Sequence, residues 1–157
     1  MREVIHPSLP LPGRLYAGAR PPWPFESSVA ALVDHGVTTI ACLLEPGEFP
    51  ADLRSAYEGA GLKLLWFPVA DFEPPRDAAA FAGFLHVLLT RLECGENLYV
   101  HCLGGIGRTG TLLGCLFKLL GETGDPIKLV RSIYARSAVE SPAQLRFITD
   151  FDARSFR

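Results

Sequence analysis

The sequence predicts an α/β fold: a three-layer single domain over 1–157, with a mostly parallel central sheet flanked by helices. Two observations carry this. Three short apolar runs, at 37–44, 62–67 and 97–101, alternate with stretches of helical character, the pattern of parallel strands joined by crossover helices. After the last run the chain reads as helices alone, two of them opened by a cap followed by proline, at Asp125-Pro126 and Ser141-Pro142.

Residues 1–26 are proline-rich, which excludes a long helix and suggests a segment packed on the domain, with a short edge strand at 14–17. Ser27 or Ser28 is expected to cap a helix whose apolar side is Val29, Ala30, Leu32 and Val33 and which Gly36 ends. The β-branched run 37–44 predicts a buried strand, 52–60 a helix, and 62–67 a second strand. Positions 68–76 form a loop with three prolines, and 77–93 the longest helix, closed by Gly95. The strand 97–101 comes next, followed by helices at 109–120, 125–135 and 141–151.

Composition narrows the classes of function. The chain has 157 residues, 48% hydrophobic and 20% charged, with a formal net charge of −2. That balance is that of a globular domain and argues against nonspecific binding of nucleic acid, which needs a basic surface. The start of the chain lacks the apolar core of a signal peptide. No apolar run approaches the roughly 18–20 residues needed to cross a bilayer. Cys42, Cys94, Cys102 and Cys115 show neither a Cys-x-x-Cys pair nor zinc spacing, so a reducing cytoplasm is the expected compartment.

The chemistry concentrates in Asn97-Leu-Tyr-Val-His-Cys-Leu-Gly-Gly-Ile-Gly-Arg-Thr-Gly110. A strand, a glycine-rich turn and a helix N-terminus together make an anion site, with backbone N–H groups turned inward and the helix dipole adding positive charge. Gly104, Gly105 and Gly107 let the backbone close around a tetrahedral anion, lined also by Leu103 and Ile106. Arg108 can fork two of its oxygens. The same electropositive cradle favours the thiolate form of Cys102.

His101-Cys102-x5-Arg108-Thr109 resembles the signature of the cysteine-dependent protein tyrosine phosphatase superfamily, and the Gly-Gly-Ile-Gly spelling its small dual-specificity and kinase-associated-phosphatase-like branch. The resemblance implies that fold and a two-step hydrolysis of phosphate monoesters through a phosphocysteine, with neither metal nor cofactor. Cys102 would be the nucleophile, Arg108 and the loop amides the phosphate grip. No segment matches the recognition loop of larger tyrosine-specific relatives. The resemblance therefore implies a shallow pocket tolerant of phosphotyrosine, phosphoserine and phosphothreonine in proteins. Two alternatives stand beside it: a non-protein substrate (an inositol phosphate, phosphoinositide or carbohydrate phosphate), and a non-catalytic phosphate-binding module. The first is disfavoured because residues 103–107 are all uncharged.

Parallel strands put their C-terminal ends on one edge, which brings Cys102, Asp71 and Glu45 together. Thiolate attack needs a proton for the leaving oxygen. By the resemblance, which implies an acid on a loop at this point in the chain, Asp71 in Val-Ala-Asp-Phe-Glu-Pro-Pro is the candidate, with Glu73 and Glu45 as competitors. His101 is expected to hydrogen-bond the loop backbone, and Thr109 to donate to the cysteine sulfur. By the resemblance of Val139-Glu-Ser-Pro-Ala-Gln-Leu-Arg-Phe-Ile148 to the matching segment of related branches, Gln144 would position the hydrolytic water and Glu140 would brace the loop. The remaining histidines (His6, His35, His86), the cysteines Cys42 and Cys115, and both tryptophans, Trp23 and Trp66, read as structural.

Overall fold

The computed structural model describes residues 1–6 and 10–156. Its five-stranded sheet has the order β1-β2-β5-β3-β4, where β1 is Arg2–Val4, β2 Leu15–Gly18, β3 Thr39–Cys42, β4 Lys63–Trp66 and β5 Leu98–His101. Only β1 runs antiparallel, on the far side of β2; the other three pairings are parallel.

Side chains alternate across this sheet, as the period of two requires. Leu15, Ala17, Ala41, Leu98 and Val100 face a core shared with α3 (Ala78–Glu93), α4 (Gly107–Leu119), α5 (Pro126–Ile133) and α6 (Pro142–Asp150). Tyr16, Ile40, Cys42 and Tyr99 face a second core with α1 (Phe25–Asp34) and α2 (Ala51–Gly59). The three layers expected from the alternation of strands and helices are these.

Several local expectations are corrected. The strand at 14–17 is no edge strand: β2 lies between β1 and β5, and the proline-rich segment supplies two strands of the sheet rather than merely packing on it. Its Pro7 lies outside the described residues. Helix α1 begins at Phe25 behind Pro24, and the hydroxyls of Ser27 and Ser28 donate to the carbonyls of Pro24 and Pro22 instead of capping an N–H. Its buried side is Val29 and Leu32 alone; Val33 is exposed. Trp23 packs little, being 73% exposed, whereas Trp66 donates its indole N–H to the Leu44 carbonyl at 2.7 Å.

The caps at Asp125 and Ser141 form as their sequences indicate. Asp125 accepts from the N–H groups of Ile127 and Lys128, and Ser141 from that of Gln144. Cys42 and Cys115 are buried and Cys94 exposed, all with free thiols. Burial pushes the Cys42 thiol up to about 12, so it behaves as a small apolar group. Among the described residues no helix is long and apolar enough to cross a membrane.

Candidate active site

Strand β5 ends at His101, and Cys102 follows it directly into a loop that enters α4 at Gly107. The thiol lies at the base of this turn, 2% exposed. Two donors converge on its sulfur: the Gly105 N–H and the Thr109 hydroxyl, each 3.2 Å from Sγ. Gly105 has φ +74°, and a Cβ there would stand 2.4 Å from the Gly18 carbonyl carbon, so both conformation and space demand glycine. Among the described residues, the N–H groups of Leu103, Gly104, Ile106 and Gly107 have no acceptor within the chain.

Arg108 sits in the first turn of α4, 2% exposed. Its Nη1 donates to Glu48 Oε2 at 2.7 Å and to the Val69 carbonyl at 2.9 Å, and its Nη2 to Glu48 Oε1 at 3.0 Å. Asp71 Oδ1 lies 3.3 Å from Nη2, at the half-exposed rim. The remaining donor, Nε, is buried without a partner. The hydrogen bond from Arg108 holds the Glu48 carboxyl below the usual carboxylate range, so the pair is ionic.

His101 is fully buried between two partners: Nδ1 is 3.0 Å from the Cys102 carbonyl and Nε2 2.8 Å from the Tyr57 hydroxyl. Burial pushes its pKa down to about 4, so the ring is neutral. A carbonyl can only accept, so Nδ1 carries the proton and Nε2 accepts from Tyr57. Burial raises the Tyr57 hydroxyl as well, keeping that donor protonated.

Gln144 is buried against the loop. Its Oε1 accepts from the N–H groups of Glu140 and Ser141, its Nε2 has no partner, and its amide would touch a Cβ at Gly107. A Glu140 carboxylate oxygen would stand 2.5 Å from that same Cβ, so Glu140 adjoins the loop. The Ser141 hydroxyl donates to the Phe72 carbonyl at 2.6 Å, tying the Asp71 loop to α6 and holding Phe72 at φ 61°.

Cys102, Arg108, Asp71, His101, Thr109, Gln144 and Glu140 thus come together. Glu73 and Glu45 stay outside: neither contacts Arg108, and Glu45 is engaged with Glu48, its N–H donating to Oε2 and its carbonyl accepting from the Glu48 N–H. Sequence reasoning missed Glu48, whose single signal is its place after β3 on the edge that also carries Cys102. It also missed Tyr57, Arg20 and Tyr134. The Arg20 N–H donates to the Leu103 carbonyl at 3.0 Å and its guanidinium to the Glu48 carbonyl at 2.7 Å.

A family model described as PTP-SAK, Swiss Army Knife protein, DSP-PTPase phosphatase domain, matches residues 8–156. The chain belongs to this family. This is the family that the resemblance of its loop implies. Human cyclin-dependent kinase inhibitor 3 is 27% identical over 103 residues, 64% of this chain and 48% of that protein. An uncharacterised protein of Methanocaldococcus jannaschii, MJECL20, is 33% identical over 89 residues, 55% of this chain and 58% of that one. The chain spans about half the length of these curated relatives. In fold it is similar to the crystal structure of Tk-PTP in its active form, with a TM-score of 0.79 at 24% identity over 96% of this chain and 99% of that one. It is similar also to PTPMT1 in complex with PI(5)P, with a TM-score of 0.72 at 20% identity over 90% and 91% of the two chains.

Proposed function

We propose that this DSP-PTPase domain, acting as one unit over 1–157, hydrolyses phosphotyrosine and phosphoserine or phosphothreonine in proteins through a phosphocysteine. The observation that carries the reading is the convergence of the Gly105 N–H and Thr109 hydroxyl on Cys102 Sγ beneath a ring of unpartnered N–H groups. Both donors stabilise negative charge on the sulfur.

The thiolate attacks phosphorus while the bond to the leaving oxygen breaks, and Asp71 supplies that oxygen's proton. Arg108 Nε, with no other partner, and the adjacent Nη2 fork two phosphoryl oxygens; Glu48 holds the guanidinium in that orientation. Water then attacks phosphorus, the S–P bond breaks, and Asp71 takes the proton. The Thr109 hydroxyl supports the departing thiolate. Gln144 directs its Nε2 to that water, and Glu140 braces Gly107. His101, neutral, fixes the Cys102 carbonyl. No step calls on a metal or cofactor.

Protein substrates are favoured by two apolar side chains flanking the loop: Phe72, 57% exposed beside Asp71, and Leu103, 40% exposed beside Cys102. An aryl or alkyl phosphate reaching past a peptide backbone fits such a collar. A phosphoinositide substrate is the second reading, since PTPMT1, a structural neighbour, has been solved with PI(5)P. Its four free thiols suit a reducing compartment, the cytoplasm.

The test is hydrolysis of p-nitrophenyl phosphate against pH by wild type, Cys102→Ser and Asp71→Asn, with a chelator present. Wild type turns over. The serine variant falls to background, and the asparagine variant loses about 10²–10⁴-fold together with the limb that reports the acid. Full activity in Cys102→Ser would sink the reading. A phosphotyrosyl peptide, a phosphothreonyl peptide and a short-chain phosphoinositide, compared by kcat/KM, decide the substrate class.

A further inference from the structure

A loop with three glycines has little stiffness of its own, yet an anion site works only when its dipoles are aimed in advance. The stiffness here comes from behind. The Cys102 carbonyl is held by His101 Nδ1 at 3.0 Å, the Leu103 carbonyl by the Arg20 N–H at 3.0 Å, and the Ile106 carbonyl by the Val139 N–H at 3.1 Å. The Gly105 carbonyl is held by the Tyr134 hydroxyl at 2.6 Å. In a trans peptide the C=O and the following N–H point in opposite directions. Each carbonyl pulled outward therefore turns the next N–H, of Leu103, Gly104, Gly107 and Ile106 respectively, into the bowl.

Three of these four locks come from backbone N–H groups or from the residue beside the cysteine. The fourth comes from a remote side chain. Tyr134 follows α5, is 6% exposed, and is itself anchored: its carbonyl accepts from the Arg2 guanidinium. The peptide it holds follows Gly105, whose left-handed backbone has no Cβ to resist rotation.

We propose that Tyr134 is a positioning residue of the phosphate loop: its hydroxyl fixes the Gly105–Ile106 peptide so that the Ile106 N–H faces the bound phosphoryl group. Released, this peptide can turn and present a carbonyl oxygen to the anion, replacing a donor by an acceptor. The inference rests on the phosphatase reading above.

The test is Tyr134→Phe, which removes the hydroxyl and keeps the ring. Turnover of p-nitrophenyl phosphate, inhibition by vanadate and the thermal midpoint are measured in parallel with wild type. The expected result is a vanadate inhibition constant raised about ten- to hundredfold, the range for one lost hydrogen bond to a charged group. A fall in kcat exceeds any change in KM, because the donor serves the more highly charged transition state. The Ile106 amide resonance, shifted by vanadate in wild type, loses that shift in the variant. A purely packing role moves the thermal midpoint and leaves these three unchanged; that result overturns the proposal, as does a variant within twofold of wild type throughout. If wild type neither hydrolyses p-nitrophenyl phosphate nor binds vanadate, the phosphatase reading fails and this inference falls with it. An active wild type beside an unaffected variant sinks this inference alone.

Discussion

The two ends of the parallel sheet each gather charge around one side chain, and they treat it in opposite ways. Where the strands begin, Glu96 accepts from the Thr39 hydroxyl at 2.6 Å, from Lys63 at 3.0 Å and from Arg91 at 3.1 and 3.2 Å. Those bonds, the one from Thr39 foremost, hold its carboxyl down to about 2. Where the strands finish, Arg108 is bound through both Nη1 and Nη2 to one carboxylate, that of Glu48, and its Nε is left without a partner, as is the Nε of Arg91 at the other end. Around it stand unpartnered N–H groups and the orphaned Nε2 of Gln144. An open guanidinium donor alone therefore makes no receptor; what sets the finishing end apart is that its open donors gather around the loop of the Cys102 thiol.

Breaking the open end has the largest effect. Gly105→Ala forces a Cβ into the Gly18 backbone and a left-handed conformation on alanine. Turnover of p-nitrophenyl phosphate is expected to fall by at least about 10²–10³-fold, the scale of a lost anion-hole donor. Next comes Glu48→Gln, which weakens the hold on the Arg108 fork without touching the thiol. A loss of kcat/KM of about tenfold to a hundredfold, with a small change in thermal midpoint, is the expected outcome. An unchanged kcat/KM contradicts the assigned role.

Behind the loop, His101 closes β5, and its pKa falls from the ordinary 6.5 to about 4. The folded state resists protonating this ring, so its contribution is complete above pH 6.5 and is lost as pH falls toward 4. That amounts to about 3 kcal/mol. Urea midpoints across this window decline in wild type and flatten in His101→Asn. The smallest effect belongs to the end where the strands begin. Glu96→Gln costs about 1 kcal/mol of stability and leaves turnover unchanged. Its pH signature is opposite in origin: a carboxyl lowered from 4.5 to about 2 contributes above pH 4.5 and fades as pH falls through 2. A drop in activity with stability intact in Glu96→Gln denies the contrast between the two ends.

Legibility in the sequence followed the same division. The strands at 37–44, 62–67 and 97–101, the proline-marked caps and the cysteine loop are local patterns, and each of those elements formed with trimmed ends. Strand β1 was invisible because Arg-Glu-Val carries no periodicity and exists only by pairing with β2. The same covering turned an expected edge strand into an interior one. Asp71 could be placed because a strand delivers it to the right edge. Glu48 and Tyr134 act through contacts to residues 60 and 29 positions away, and no spacing in one sequence encodes those.

Gly18 and Gly105 lend themselves to another kind of question, that of permitted sequence drift. A Cβ on Gly105 meets the backbone of residues 18 and 19, while a Cβ on Gly18 meets the Tyr99 hydroxyl at 2.6 Å. No substitution at one position makes room at the other, since the obstruction at each is main chain or a packed ring. A library that varies both positions together should recover only the parental pair, and any route to a larger residue must first move the end of β2 away from the loop.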